Sequence, residues 1–221
     1  MLIRKYGFYH SMIPPSTSTK ERAETRFIEP ENWFEILKWA DWFPSQQPIE
    51  VDLGAGDGGF VIARAQAHPE LNFLAVERLL GRARKIDKKA RRLGLSNLRV
   101  LRMESLYTVQ WLLPPGSVSA FHLLFPDPWP KKKQQKHRLI RGTFLAAIER
   151  ALEPGGAFHA ATDHEEYFAE IVGAFRNRAG WRAQLVENSA WLREKTDFEI
   201  QFLSEGKKIG RLKAVWSGGR V

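Results

Sequence analysis

The sequence predicts an α/β fold with a mostly parallel sheet covered by helices on both faces. After Pro48, short apolar runs alternate with segments of helical periodicity, a pattern typical of parallel strands joined by crossover helices. Two more strand-like runs, residues 181–186 and 209–216, follow later in the chain. We expect this pair to form an antiparallel hairpin at one edge of the sheet.

The individual elements follow from local patterns along the chain. A short helix is predicted from Pro30, because Trp33, Leu37 and Phe43 fall near one face and Pro44 stops the pattern. The other predicted strands cover residues 49–53, 72–76, 98–103, 119–125 and 157–161, and the other predicted helices cover residues 60–67, 80–93, 139–152 and 165–178.

The length of 221 residues suits one domain with a short extension. Residues 1–28 contain Pro14-Pro15, a Ser/Thr run and several basic side chains. This composition predicts a flexible basic arm that can contact RNA backbone. Residues 29–221 are then expected to form the single folded domain.

The composition favours an anionic partner and excludes several kinds of site. A net charge of +9 and a pI of about 9.9 favour nucleic acid or a membrane surface, although a merely basic enzyme fits equally well. The absence of cysteine excludes disulfides, thiolate nucleophiles and Cys-based metal sites. The six histidines lack metal-ligand spacing, so we expect no metal. Because no apolar run could span a bilayer and no signal peptide is visible, we expect a cytoplasmic protein without a membrane partner.

A glycine-rich loop follows the first predicted strand and opens a helix. Its sequence is Leu53-Gly54-Ala55-Gly56-Asp57-Gly58-Gly59, and glycines at such a place allow a tight turn and close approach of backbone to a ligand. Gly54, Gly56 and Gly59 also satisfy the G-x-G-x-x-G pattern. A nicotinamide dinucleotide therefore competes with other adenosine cofactors at this loop.

Acidic residues around the loop favour S-adenosylmethionine over a dinucleotide. Asp52 ends the first strand, and Glu77 ends the second, where a carboxylate can accept bonds from both ribose hydroxyls of an adenosine. A pyrophosphate would be repelled by Asp52 and Asp57, whereas a sulfonium and an amino group would be attracted. At the end of the third strand, Met103 and Glu104 would lie at the adenine edge in a methyltransferase fold, although Glu104 equally fits the first turn of a helix.

The segment Phe125-Pro126-Asp127-Pro128-Trp129-Pro130 follows the fourth predicted strand. Three prolines in five residues make this loop stiff. Ligands of open α/β sheets bind outside the carboxyl ends of the strands. A rigid carboxylate at this point therefore predicts that Asp127 is catalytic.

A basic run continues from this loop. Five basic residues, counting Arg138, precede Leu139, and we expect them to neutralise phosphates of a nucleic acid. The basic residues from Arg78 to Arg92 instead point around a whole helix and are expected to be a solvated face.

Together these motifs resemble those of the tRNA (guanine-N7)-methyltransferase family, whose loop has a Pro-Asp-Pro-Trp core followed by basic residues. Residues 161–167, Ala-Thr-Asp-His-Glu-Glu-Tyr, resemble its Thr-Asp…Tyr motif, and residues 196–199, Thr-Asp-Phe-Glu, resemble its Thr-x-aromatic-Glu motif. The resemblance covers about residues 48–210 in the expected order. The chain departs from the family at Asp52, where Glu is frequent, in residues 214–221 and in the arm.

The resemblance implies a Rossmann-like class I methyltransferase fold with seven strands. It also implies the tRNA (guanine(46)-N7)-methyltransferase reaction on a variable-loop guanine, with tRNA as the partner, S-adenosylhomocysteine as the product, and a monomer or a homodimer as the active form. Asp127 would be catalytic. The cofactor would contact Asp52, Gly54, Gly56, Glu77, Met103, Glu104 and Asp127, and the tRNA would contact Lys131, Asp163, Thr196, Asp197, Phe198 and Glu199.

Three alternatives stay open on the residues alone. The glycine spacing suits an NAD-dependent oxidoreductase. A methyltransferase of the same fold could act on another RNA base or on a protein, although Asp127 has proline on both sides, unlike the Asp-Pro-Pro-Tyr-like loops of amino-group methyltransferases. A catalytically idle RNA-binding protein is the third, and the intact acids at every expected position count against it.

Overall fold

A seven-stranded sheet with helices on both faces organises the computed structural model, which describes residues 25–218. Most of the predicted arm, residues 1–24, lies outside the described residues. The strands are β1 (Ile49–Leu53), β2 (Asn72–Val76), β3 (Leu98–Leu101), β4 (Val118–Leu124), β5 (Leu152–Thr162), β6 (Trp181–Leu185) and β7 (Gly210–Trp216). The helices are α1 (Gly59–Ala67), α2 (Leu80–Arg92), α3 (Ser105–Tyr107), α4 (Gly142–Ala151), α5 (Glu165–Arg176) and α6 (Asp197–Ser204).

The strand order across the sheet is β3-β2-β1-β4-β5-β7-β6. The first five strands along the chain pair in parallel, and β7 pairs antiparallel with both β5 and β6. This confirms the predicted fold class. The antiparallel pair is more open than a tight hairpin, because α6 lies in the connection between β6 and β7.

Burial on both faces explains why the central strands are mostly apolar, although β1 also buries Glu50 and Asp52 and β2 begins with Asn72. All five residues of β1 and of β2 are buried, as expected for parallel strands covered by helices on each side. Leu74 and Val76 join one core cluster with α4 and α5, whereas Phe73 and Ala75 join a second cluster with α1 and α2. Because neighbouring strand residues point to opposite faces, the two clusters lie on opposite sides of the sheet.

The segment before β1 differs from the predicted helix. Only Trp39–Asp41 is helical there, as a single 3-10 turn. The side chain of Asn32 accepts a hydrogen bond from the amide of Phe34 at 3.0 Å, which turns the chain locally instead of starting a helix. Further on, the amide of Leu37 donates to the carbonyl of Leu112 at 2.8 Å. The backbone bonds of this segment are thus made with another part of the domain.

Residues 25–28 add to the free edge of β3. The amide of Val100 donates to the carbonyl of Arg26 at 2.7 Å, and the amide of Ile28 donates back to Val100 at 2.8 Å. Ile28 is only 1% exposed. These residues therefore cover an edge strand that would otherwise present unpaired backbone groups.

Within residues 25–218, none of the helices combines the length and apolar character needed to cross a bilayer. In the same part of the chain, no group of three or more acidic or histidine side chains is placed to hold a metal ion.

Candidate active site

Five of the predicted site residues lie along one edge of the sheet, because each follows the carboxyl end of a parallel strand. Met103 follows β3, Glu77 follows β2, Gly54 follows β1, Asp127 follows β4 and Asp163 follows β5. The sheet order places them side by side in that sequence, and neighbouring strands are separated by about 4.8 Å. Residues far apart in the chain are thereby brought into one row.

The centre of this row is the point where the strand order reverses. From β1 the chain proceeds outward through β2 and β3, and then returns to place β4 on the other side of β1. Asp52 of β1 is in register with His122 of β4, so the glycine loop and the Pro-Asp-Pro loop begin as neighbours. In this architecture a ligand usually binds in the crevice at such a switch point, which here lies between the two loops.

The glycine loop has a conformation that only glycine adopts without strain. Gly54, Gly56 and Gly58 have φ values of 83°, 59° and 83°, all in the left-handed region. A Cβ atom added to Gly54 or Gly56 would meet no heavy atom within 4 Å. The requirement for glycine here is thus conformational, and the space above the turn is open to a ligand.

Glu77 fixes the shape of this loop with both carboxylate oxygens. One oxygen accepts a hydrogen bond from the amide of Gly56 at 3.0 Å, and the other accepts from the amide of Leu79 at 2.7 Å. The side chain is buried. Each oxygen keeps a second lone pair, so Glu77 can hold the loop and still accept bonds from the hydroxyls of a ribose.

Asp52 provides the second buried carboxylate at the loop. Burial, reinforced by the negative charge of Glu77, raises the pKa of Asp52 to about 7. Two neighbouring acids that repel each other would be stabilised by a cationic ligand and further destabilised by a pyrophosphate. The residues present therefore fit S-adenosylmethionine, whose sulfonium and amino groups carry positive charge.

Asp57 contributes less to this field than its position in the sequence indicated. Its carboxylate pairs with Lys85 at 2.9 Å and with Arg82 at 3.8 Å, both on α2. These cations offset its charge on the outer side of the loop. The preference for a cationic ligand thus rests on Asp52 and Glu77.

At the end of β3, Met103 and Glu104 have different surroundings. Met103 is buried in the core cluster, with its position one strand beyond Glu77. The carboxylate of Glu104 accepts from the amides of Leu106 and Tyr107 at 3.0 and 2.8 Å. Glu104 therefore caps α3, as one of the two interpretations of the sequence expected.

The Pro-Asp-Pro-Trp loop is held in an unusual backbone conformation. Phe125 and Trp129 have φ values of 52° and 44°, which bulky residues rarely adopt. Each precedes a proline, and together they bracket Asp127. The amide of Phe125 donates to the carbonyl of Ala161 at the end of β5 at 2.7 Å. Strain of this kind persists only where the surroundings enforce it, and it concentrates at functional sites.

Asp127 itself is exposed at the tip of this rigid loop. Among the residues that the structure describes, none makes a hydrogen bond or an ion pair with its carboxylate. A rigid backbone with a free carboxylate is a suitable arrangement for meeting a ligand.

Arg138 is the residue that fastens the loop to the domain. It is 3% exposed, its Nε donates to the carbonyl of Pro128 at 2.8 Å, and its guanidinium lies 4.9 Å from the ring centre of Tyr167. It also pairs with Glu166 and Glu170 of α5. The prediction that Arg138 neutralises phosphates is therefore wrong, because its charge is buried and paired. The other basic residues of the run, Lys131, Lys132, Lys133 and Lys136, are exposed.

The Thr-Asp-Phe-Glu segment starts α6. The hydroxyl of Thr196 accepts a bond from the amide of Glu199 at 2.9 Å, which is half of the capping box that Thr-x-x-Glu specifies. The Glu199 carboxylate does not complete that box. It is fully buried and pairs with Arg211 of β7 at 2.9 Å and with Lys195 at 3.2 Å.

This segment lies directly over the start of α1. A Cβ atom on Gly59 would lie 2.8 Å from Oδ1 of Asp197, so the third glycine of the G-x-G-x-x-G pattern has a packing reason independent of any dinucleotide. Further along α6, the ring of Phe202 meets Phe125 edge-on at 5.6 Å. The segment and the helix that it starts therefore contact α1 through Asp197 and the Pro-Asp-Pro-Trp loop through Phe202.

Two residues predicted to contact the tRNA, Phe198 and Asp163, are accessible to solvent. Phe198 is 47% exposed and stacks on Phe202, with ring centres 5.9 Å apart. Asp163, at the end of β5, lies 3.5 Å from the amino group of Lys207. The side chain of Phe198 is therefore exposed, and that of Asp163 is partly exposed.

Sequence reasoning missed the residues that hold this site together. Arg211, Arg138 and Gly59 act through partners distant in the chain, and no local spacing marks an arginine as the buried partner of a glutamate on another element. For Gly59 a signal existed in the glycine pattern, but its physical reason, contact with Asp197, depends on tertiary structure.

Comparison with known proteins agrees with this geometry. Residues 46–212 match the family model described as "Putative methyltransferase". The tRNA (guanine-N(7)-)-methyltransferase of Nitrosococcus oceani is 32% identical over 177 residues, which cover 80% of this chain and 75% of that protein. The enzyme of the same name from Chromohalobacter salexigens is 34% identical, covering 79% of this chain and 71% of that protein.

Solved structures support the fold. The 16S rRNA methyltransferase KamB superposes with a TM-score of 0.60 at 20% identity, covering 84% of this chain and 95% of that one. A 16S rRNA (adenine(1408)-N(1))-methyltransferase from Catenulisporales acidiphilia, solved with its cosubstrate S-adenosylmethionine, gives a TM-score of 0.56 at 19% identity, covering 83% of this chain and 91% of that one. The chain therefore belongs to the family of S-adenosylmethionine-dependent tRNA (guanine-N(7)-)-methyltransferases.

Proposed function

We propose that this chain transfers the methyl group of S-adenosylmethionine to N7 of a variable-loop guanine in tRNA, with Asp127 beside the reacting atoms. The observation that carries the proposal is the row of strand ends in which Glu77, the glycine loop and Asp127 are neighbours. Because the site is built from one chain, a monomer or a homodimer would serve, and tRNA as substrate implies a cytoplasmic reaction.

The chemistry asks little of the protein beyond alignment. Guanine N7 has an in-plane lone pair and no proton to lose, so it can attack the sulfonium methyl directly. The carbon–nitrogen bond forms as the carbon–sulfur bond breaks, and the positive charge moves from sulfur to the base. Holding the reactants in line removes much of the barrier. The Asp127 carboxylate stabilises the positive charge that develops on the guanine.

The remaining residues divide between the two substrates. We expect the cofactor to contact Asp52, Gly54, Gly56, Glu77, Met103 and Glu104, with Glu77 on the ribose and Asp52 near the positive charges. We expect Asp163 and residues 196–198 to contact the guanine after it leaves its stack. Glu199 is fully buried and paired with Arg211, so it would act by holding this segment. Carboxylates suit this task, because guanine N1 and N2 are hydrogen-bond donors.

A methyl-transfer assay tests the proposal. The full-length chain is incubated with methyl-labelled S-adenosylmethionine and unmodified tRNA, and the tRNA is then digested to nucleosides. We expect the label in 7-methylguanosine. Label in another nucleoside would assign a different target, and the absence of label in tRNA would reject the proposed function.

The raised pKa of Asp52 predicts that cofactor affinity depends on pH. A cationic ligand binds better to the ionised carboxylate, so the Kd for S-adenosylmethionine should fall as the pH rises through about 7, where Asp52 loses its proton. The free energy of unfolding of the ligand-free protein depends on pH with the opposite sign. Because the pKa of Asp52 is raised in the folded state, its contribution to stability is present at low pH and is lost as the pH rises through about 7. Calorimetric titrations between about pH 6 and about pH 8 measure the first effect. Asp52→Asn should flatten the profile, and exposed Asp41→Asn should leave it unchanged; an unaltered profile in Asp52→Asn would assign the titration elsewhere.

Lys131 is expected to contact the tRNA backbone. It is exposed immediately after the rigid loop, so Lys131→Ala should raise the KM for tRNA and reduce the slope of its logarithm against log salt by about one unit. Steady-state assays at several salt concentrations measure both quantities. Lys38→Ala, a change of an exposed lysine before β1, is the matched control. Equal KM values and salt slopes in the two variants would show that Lys131 is merely solvated.

A further inference from the structure

A buried ion-pair network on the α1 face of the sheet lies outside the ligand row. Arg64 of α1 donates to Glu50 of β1 at 2.9 Å through Nη2 and to Glu194 at 3.0 Å through Nη1. The three side chains are 12%, 8% and 7% exposed, respectively. Glu194 belongs to the connection between β6 and α6, so Arg64 joins this connection to the centre of the sheet.

The network is anchored firmly at Glu50. Burial alone would raise the pKa of Glu50, but hydrogen bonds from Arg64 and His122 outweigh it and hold that pKa well below its usual range. Nε2 of His122 lies 2.8 Å from the carboxylate. Burial lowers the pKa of His122, so a neutral imidazole donates this bond. Glu50 is therefore an ionised, fully engaged partner for Arg64.

The same connection is held at a second point. His122 stacks on His159 of β5 with ring centres 5.0 Å apart. Trp191 meets His159 edge-on at 5.8 Å and is itself 8% exposed. Trp191 thus packs against β5, and Glu194 is joined to β1 through Arg64.

The fastened segment leads immediately into the segment proposed to hold the guanine. Thr196, two residues after Glu194, caps α6, and Asp197 rests against Gly59 at the start of α1. Arg64 lies about one and a half turns further along α1. Contacts with two points of α1, Gly59 and Arg64, therefore set the position of Thr196 relative to the glycine loop.

We propose that Glu194, held by Arg64, is a positioning residue that fixes residues 196–199 over the crevice for tRNA; this rests on the proposed function. Buried ion pairs add little net stability, because desolvation offsets the attraction between the charges. What such a pair provides is a defined position, and placement errors of about 1 Å can cost a hundred-fold in rate. Glu194 touches neither substrate in this arrangement and acts through the backbone that follows it.

The test uses Glu194→Ala, Glu194→Gln and the matched control Glu187→Ala, an exposed carboxylate in the same connection. Glu194 is preferred to Arg64, whose removal would leave Glu50 buried without its main partner and endanger the fold. Glu194→Ala should raise the KM for tRNA about tenfold or more, with the Kd for S-adenosylmethionine unchanged. Glu194→Gln, which keeps an acceptor for Arg64, should recover most of the loss.

Amide hydrogen exchange provides a readout independent of activity. The amides of Glu199 and Ile200 bond to the side chain and carbonyl of Thr196, so their exchange should accelerate in Glu194→Ala while that of β1 stays slow. Unchanged tRNA kinetics in Glu194→Ala would overturn the proposal. A parallel loss of cofactor affinity, tRNA affinity and Tm would also overturn it, since it would indicate a merely structural role. An inactive wild-type chain would instead reject the proposed function itself.

Discussion

Asp127→Ala is expected to lower kcat for methyl transfer at least about a hundred-fold, the loss typical of removing one charge-stabilising group from an active site. The carboxylate is exposed at the tip of a rigid loop, and its loss breaks no bond among the described residues. The melting temperature should therefore stay close to that of the wild type. Single-turnover transfer at saturating tRNA and cofactor measures the chemical step directly.

Two further variants separate charge from shape at this position. Asp127→Asn keeps the volume and removes the charge, so it should lose nearly as much activity as Asp127→Ala if the carboxylate acts electrostatically. Asp41→Ala removes an exposed aspartate from the 3-10 turn before β1 and should leave kcat unaltered. Full activity in Asp127→Ala would remove Asp127 from the mechanism.

Glu77→Ala should weaken cofactor binding by at least about tenfold. Glu77 accepts bonds from the amides of Gly56 and Leu79, and a hydrogen bond to a charged group contributes about 1.5–3 kcal/mol, where about 1.4 kcal/mol corresponds to a factor of ten. The loop loses its shape and the ribose loses its acceptor at once. Isothermal titration with S-adenosylhomocysteine measures the change.

Glu77→Gln refines this prediction. An amide side chain has one acceptor oxygen, so it can serve only one of the two backbone donors, and an intermediate affinity is expected. Glu31→Ala, at an exposed position before the sheet, is the control. If Glu77→Ala had a normal Kd for the cofactor and a raised KM for tRNA, Glu77 would be assigned to tRNA binding instead of cofactor binding.

Much of the fold could be predicted because its rules are local. The runs at β1 and β2 are short and mostly apolar, and Pro154-Gly155-Gly156 separates α4 from most of the apolar part of β5. The strand ends of a parallel sheet meet at one edge, so the placement of Glu77 and Asp127 in one row followed from their positions after β2 and β4. Arranging these residues required no knowledge of tertiary contacts.

The rest depended on contacts that sequence spacing does not encode. The predicted helix from Pro30 failed because Leu37 bonds to Leu112 instead of to its own turn. The sequence places Arg138 in a basic run that was expected to be exposed. In the structure its side chain is buried, because it pairs with carboxylates of α5 and donates to the carbonyl of Pro128. The motif at Thr196 indicated a ligand contact, whereas its first physical role is to start α6.

The placement of β7 has a consequence for biosynthesis. It leaves the ribosome after β6, yet it lies between β5 and β6. A nascent chain that ends at Glu205 would already contain the glycine loop and Asp127, but β6 would have no neighbour and Glu199 would lack Arg211. The cofactor side of the crevice is therefore synthesised before the contacts that hold its RNA side. An unfinished chain could expose the cofactor side while the RNA side is still incomplete.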